Sequence, residues 1–290
     1  HHVRINSEGW RDRERSPEKP PGIFRIVVLG DSFTWGHGVE DEEIFTRRLE
    51  QKLSGVEVLN MGLSGSSTDQ QLLILKRDAL AFHPDVVIVM ICRNDFLANT
   101  GTMEGPYGKP AFVLQQDGSL RLTHVPVPDL TTAARAHGWL RRQSALWNLI
   151  ESTWNQKDDD SSTRTYDRRQ ASYALMRALL KSMRDEAARG GARLALGIVP
   201  SNAHTYFDPV PALEAERVRV IKEIGGSEGI PVLDLVPAFR AGARDPSTGG
   251  RIDLHYRADQ HWNRRGHELA ADEMARLLRQ ADLIPSHSAP

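Results

Sequence analysis

With Cys92 as its only cysteine, the 290-residue chain cannot form an internal disulfide, although that alone does not fix its compartment. No apolar run approaches the roughly 20 residues that a membrane-spanning helix needs, so no membrane-spanning segment is expected. Neither charge sign dominates: 37 Lys and Arg face 38 Asp and Glu, a net charge of −1. That balance offers no footprint for nucleic acid or for an anionic membrane surface. No internal repeat is found, and no Gly-Lys-Ser/Thr follows the first apolar strand, which excludes a P-loop. The chain opens on His1-His2 and has no methionine before Met61, which is expected of an incomplete translation product: a leader or anchor ahead of it implies export or membrane tethering, and a tag alone leaves it cytoplasmic.

Against these absences stands Gly30-Asp31-Ser32, directly after the apolar run Phe24 to Leu29. A short β-branched run that breaks at glycine predicts a buried parallel strand ending in a tight turn. Open α/β sheets bind ligands at the carboxyl ends of such strands. A serine at that mouth is either a nucleophile or a helix cap. Near the other end, Asp259-Gln260-His261-Trp262-Asn263 precedes a predicted helix. Ser, His and Asp are what acyl transfer needs: a hydroxyl to attack, an imidazole to take and return its proton, and a carboxylate to fix the imidazole tautomer. An Asp and a His two apart can meet only in a loop, and a capping Asp beside a surface His is the plainer alternative.

Two further segments lead toward the same crevice. Val56 to Asn60 predicts a second strand, and the small-residue turn Met61 to Thr68 after it leaves backbone amides open to an oxyanion. Asp85 to Ile91 predicts a third strand, ending in Cys92-Arg93-Asn94-Asp95. Taken alone, the glycine turn reads equally as a helix N-terminus and Asn94 as an Asx turn.

Gly30-Asp31-Ser32, Gly65, Asn94-Asp95 and Asp259-x-His261, in that order, resemble the SGNH (GDSL) hydrolase family over roughly residues 24 to 280. The resemblance implies a serine hydrolase, an esterase or acyltransferase, with Ser32 as nucleophile, His261 as base and Asp259 as orienting acid. It implies an oxyanion hole of the Ser32 and Gly65 amides and the Asn94 side chain. It implies no cofactor or metal. The Asp-x-His-Trp form resembles the branch that contains the alginate acetylation proteins and related polysaccharide O-acyl enzymes. The implied substrate is a small O-acyl ester, with acetyl on a carbohydrate the narrowest reading. One departure is Cys92, where the family commonly has glycine; a side chain there is expected to crowd the crevice or add a thiol near it. Arg93 either binds an anionic substrate group or pairs with a neighbouring acid. Trp262 is a candidate substrate contact.

The alternation of strands and helices predicts a three-layer α/β/α, doubly wound domain with five parallel strands in flavodoxin-like order. The remaining strands are expected at Ala192 to Val199 and Ile230 to Leu235. Helices are expected at Asp41 to Leu53, behind the capping boxes Ser67-x-x-Gln70 and Thr68-x-x-Gln71, after Pro211, and after an Asn263 cap. A stripe of Tyr166, Tyr173, Met176, Leu180, Met183 and Ala187 is expected in the core. Residues 1–21 are expected as an arm, either laid on the domain or disordered; 22–285 as one domain; and 286–290 as a tail. Within the domain, 96–165 break the alternation: a hairpin turning at Asp117-Gly118, then an apolar helix marked by Trp139, Trp147 and Trp154, form a candidate lid or substrate wall.

Rival classes fit less well. A haloacid-dehalogenase-like phosphatase needs a second acid where Phe33 stands. A metal cluster of His255, His261 and His267 with Asp253 and Asp259 needs convergence that their spacing opposes. A catalytically silent carbohydrate-binding descendant remains the alternative.

Overall fold

The computed structural model describes residues 2–104, 107–127, 144 and 163–285. Its contacts divide the chain into two compact units, residues 1–93 with 180–290, and residues 94–179.

The first unit is built on a parallel sheet of β1 (Phe24–Gly30), β2 (Val56–Gly62), β3 (Val86–Ile91), β4 (Arg193–Ile198) and β5 (Val232–Asp234), in the order β2-β1-β3-β4-β5. All four pairings are parallel, so each connection must cross over a face of the sheet. Both faces are therefore covered, and β3 is buried at every position. Ile26, Val28, Val86, Ile88 and Met90 pack in one cluster with Phe45 and Leu49 of helix α2 (Phe45–Gln51) and with Ala270, Met274 and Leu278 of the last helix. Alternate residues point the other way. Beneath that opposite face α3 (Thr68–Arg77) contacts β1 and β3.

The helix expected over Asp41 to Leu53 is shorter: a 3-10 turn, Asp41–Glu43, and then α2, separated by Ile44 in an extended conformation (φ −63°, ψ 137°) that breaks the hydrogen-bond ladder. Of the two capping boxes at α3, Ser67 with Gln70 forms. Thr68 and Gln71 lie inside the helix instead, with buried polar atoms that meet no partner. Along the helix Thr163–Arg189, Tyr173, Met176, Leu180, Met183 and Ala187 are buried as expected. Tyr166, near its start, is exposed.

Residues 3–21 lie along the first unit. Buried Arg11 donates to the carbonyls of Gly36 (2.5 Å) and Val39 (2.7 Å) and pairs with Asp41 (2.9 Å), bracing the loop behind Ser32. Arg15 joins Asp12 and Glu50, and Lys19 joins Asp85.

In the second unit, the hairpin pairs Ala111–Leu114 with Leu120–Thr123 across a turn whose Gly118 has φ 81°. Phe96 packs edge-on to Tyr173. The expected tryptophan-rich helix and the tail 286–290 lie outside the described residues.

Candidate active site

Ser32 begins a four-residue helix, α1 (Ser32–Trp35), at the carboxyl end of β1. The cap of that helix is Asp31, whose carboxylate accepts from the Phe33 amide at 3.0 Å, so the Ser32 hydroxyl is not spent on capping. Close approach explains the glycines around it. A Cβ on Gly30 would meet Thr34 Oγ1 at 2.1 Å, and one on Gly62, its register partner in β2, would meet the Trp35 amide nitrogen at 2.4 Å. Without side chains at both positions the helix settles onto the strand ends.

The loop that carries Asp259 and His261 is pinned from several sides. His255 and Trp262 form an antiparallel bridge, Tyr256 N donates to His261 O (2.7 Å), and Asn263 N donates to Leu254 O (3.0 Å). Gln260, at the tip between Asp259 and His261, takes the left-handed conformation at φ 68°. Asn263 caps the last helix through the amides of Arg265 and Gly266, and its own amide donates to Asp253 O at 2.8 Å. Trp262 Nε1 donates to the Pro200 carbonyl (3.1 Å), just beyond β4, and His255 Nε2 meets the same oxygen at 3.1 Å. Tyr206 Oη accepts from the Leu254 and His255 amides.

These contacts assign the histidines. A carbonyl only accepts, so His255 carries its proton on Nε2; burial is the main force pushing its pKa down to about 4. Fully buried His267 accepts from the Phe45 amide through Nδ1, and burial holds its pKa at about 3. Both are neutral structural groups. His261 is the one that turns to Ser32: its Nε2 lies 2.7 Å from Ser32 Oγ. Its ring lies against Phe33 (centroids 4.9 Å apart) and His37 (4.5 Å). Burial first, and then the neighbouring His37, lower the His261 pKa, while Asp259 opposes them. A neutral imidazole 2.7 Å from a hydroxyl is poised to accept its proton.

Asp259 sits less directly than the sequence suggests. Its Oδ1 accepts the backbone amide of His261 at 3.0 Å and stands 3.7 Å from the ring Nδ1. That nitrogen is buried and has no hydrogen-bond partner. Oδ2 faces His37 Nε2 at 3.5 Å. Triad hydrogen bonds are often long before substrate binds and tighten afterwards.

For the other sequence candidates the outcome is mixed. Gly65 has φ 82°, a conformation that favours glycine, and among the described residues neither its amide nor that of Ser32 donates a hydrogen bond. Asn94 begins the second unit and precedes the short helix Asp95–Ala98, its side chain uncommitted to capping. Arg93 stands 3.8 Å from Glu214, the pairing alternative. Trp262 is not a substrate contact: it is wholly buried, packed against Phe45 and Phe239, and its one polar atom is taken by Pro200. Cys92 likewise does not offer a thiol to an open crevice, because it is buried in the core cluster. A cavity of about 800 Å³ in the same unit is lined by Tyr206, Phe207, Arg240 and Arg251, and not by Ser32 or His261.

The model of the GDSL-like lipase/acylhydrolase family matches residues 28–269. The chain belongs to that family. Among solved structures, this family member is similar to an acetyl xylan esterase (14% identity, 90% of this chain and 100% of that one, TM-score 0.52). It is also similar to a lipase/acylhydrolase from Enterococcus faecalis (18%, 89% and 97%, TM-score 0.51) and to an acetyl-xylooligosaccharide esterase from Geobacillus (17%, 88% and 94%, TM-score 0.51). At these identities the likeness is one of fold. No curated protein sequence matches. Fold and family together make this GDSL-like protein a serine hydrolase, and no described helix is long and apolar enough to cross a membrane.

Sequence reasoning missed His37, Tyr206 and Pro200. The only sequence signal for His37 is that glycines flank it: Gly36 and Gly38 both have positive φ, and Tyr256 Oη donates to the Gly38 carbonyl at 2.5 Å. A pH profile tests the arrangement. Because the pKa of His261 is held below its ordinary 6.5, its imidazole stays neutral as pH falls; if it serves as the base, the acid limb of kcat/KM should lie below pH 6.5. Removing His37 removes one of the two downward forces, so His37→Ala should move that limb upward. A limb above pH 6.5 in the parent protein would contradict the arrangement.

Proposed function

We propose that the protein is a serine esterase or O-acyltransferase that acts on a small O-acyl ester, chiefly acetyl, carried by a carbohydrate. The observation that carries this reading is the 2.7 Å contact between Ser32 Oγ and His261 Nε2, made by residues 229 apart in the chain. Ser32 Oγ attacks the ester carbonyl as His261 Nε2 takes its proton. The charge that develops on the carbonyl oxygen is met by the Ser32 and Gly65 amides and the Asn94 side chain. As the intermediate collapses, the C–O bond to the alcohol breaks and His261 returns the proton to the departing alkoxide, leaving an acyl group on Ser32. Water, or a sugar hydroxyl in the transfer reaction, then attacks the acyl-enzyme with His261 again as base. Asp259 stabilises the imidazolium that forms at each step.

Two things support acetyl and carbohydrate: the likeness of Asp259-x-His261-Trp262 to the polysaccharide O-acetylation branch, and the fold shared with two proteins named as acetyl xylan and acetyl-xylooligosaccharide esterases. Chromogenic esters of increasing acyl length test it. Turnover should be fastest on acetyl and fall by about tenfold or more by butyryl, since one or two methylenes that an acetyl-specific site does not accommodate are worth that much. Added oligosaccharide should then accept the acyl group in competition with water. Turnover that rises with chain length would overturn the acetyl assignment, and glycan binding with no turnover at all would favour the silent carbohydrate-binding alternative.

A further inference from the structure

His37, Asp259 and His261 present one ligand atom each, all within 4.8 Å of one another. The separations within this group are unusual for hydrogen bonding. His37 Nε2 to Asp259 Oδ2 is 3.5 Å and His261 Nδ1 to Asp259 Oδ1 is 3.7 Å, both longer than ordinary N–H···O bonds. Each lies a few tenths of an ångström beyond the edge of a tetrahedral coordination shell, since two donors about 2.0–2.1 Å from a zinc ion are roughly 3.3 Å apart, and each histidine faces a different oxygen of the Asp259 carboxylate. The group also contains a buried nitrogen without a hydrogen-bond partner, His261 Nδ1. His37 and Asp259 are each almost half exposed, so an ion can enter from solvent. Their setting is firm, because Arg11 and Tyr256 hold the loop around His37 while Asn263, Trp262 and Pro200 anchor the loop around Asp259.

We propose that His37, Asp259 and His261 form an inhibitory site for a divalent cation of the zinc class, and that occupancy of this site disables Ser32. This inference rests on the reading of His261 as the catalytic base. Two imidazoles and one carboxylate suit Zn²⁺ or Cu²⁺, whereas Mg²⁺ and Ca²⁺ prefer all-oxygen shells. Water completes a four-coordinate site.

The inhibition follows from the two ring nitrogens. In the catalytic tautomer Nδ1 carries the proton and the Nε2 lone pair faces Ser32 Oγ. When the metal takes the Nδ1 lone pair, that proton leaves to solvent, and the neutral ring takes one from solvent at Nε2. The Nε2–H then donates to Ser32 Oγ, as the second nitrogen of a metal-bound histidine commonly donates to an outer partner. The hydroxyl keeps its own proton, and no base is available to remove it.

Metal-free full-length protein is titrated with Zn²⁺ against a chromogenic chelator, and ester turnover is followed in parallel, each variant being referred to its own metal-free rate. One zinc ion should bind, turnover should fall by about tenfold or more at saturation, and chelator should restore it. Equal Mg²⁺ or Ca²⁺ should do neither. Losing a direct ligand should cost at least what losing an outer-shell partner costs, about 10- to 100-fold in affinity, so His37→Ala should weaken binding and inhibition together by that factor. His37→Asn, which keeps a polar side chain at the position, should behave the same way. Zinc affinity unchanged in both variants, or zinc that binds through His37 without slowing turnover, would overturn the proposal. If the metal-free protein turned over no ester, the functional reading would fail by itself, and the binding titrations would still decide the site.

Discussion

Ser32→Ala is expected to lower kcat on an acetyl ester by about 10⁶, an effect worth roughly 8 kcal/mol, because nucleophile and base act as a unit and removing either loses nearly all that the pair contributes. KM should change little, since the Ser32 hydroxyl touches the carbonyl chiefly in the transition state. The folded state should be unaffected: the half-buried hydroxyl meets His261, while the helix it begins is capped by Asp31. Steady-state kinetics on the two proteins, with circular dichroism to confirm the fold, are the check. A loss of tenfold or less would remove Ser32 from the chemistry.

His261→Ala should cost nearly as much, and the informative comparison is with His255→Ala. The chain contains two Asp-x-His pairs six residues apart, Asp253 with His255 and Asp259 with His261. The structure gives them different tasks. His255 is buried, spends Nε2 on Pro200 and Nδ1 on Tyr206, and stays neutral through the range in which a base must titrate. His261 alone of the two meets Ser32. His255→Ala should therefore leave kcat within about tenfold, an effect of no more than roughly 1.4 kcal/mol, expressed through a looser loop. The same ester assay on both variants reads the difference directly. A large loss at His255 beside a small one at His261 would reverse the assignment of the base.

Much of this was legible in the chain because strands buried on both faces write their own signature. Ile26 to Leu29 and Val86 to Ile91 are continuous apolar runs, and the sheet contains both. Boundaries set by local cap chemistry were legible too, as at Ser67 with Gln70 and at Asn263. What escaped depends on contacts between distant segments. Ile44 interrupts an otherwise helical stretch, and nothing in its neighbours' propensities announces the break. Trp262 lies beside the proposed base, His261, in sequence, which suggests a substrate contact, yet the strand-like bridge to His255 turns it inward while His261 turns outward. His37 escaped because a lone histidine between two glycines carries no pattern; its approach to Asp259 depends on a loop of two positive-φ glycines held by the distant Arg11 and Tyr256. The long separation between Asp259 and His261 Nδ1 has a similar origin: the Asp-x-His spacing lets the carboxylate take the His261 backbone amide first.

Whether Ser32 is the nucleophile activated by His261 is read from intact-mass measurement after treatment with a serine-directed phosphonate, followed by peptide mapping. The parent protein should carry a single adduct, located at Ser32, with no adduct on Ser32→Ala and greatly slowed labelling of His261→Ala. An adduct at any other residue, or equal labelling of Ser32→Ala, would contradict it.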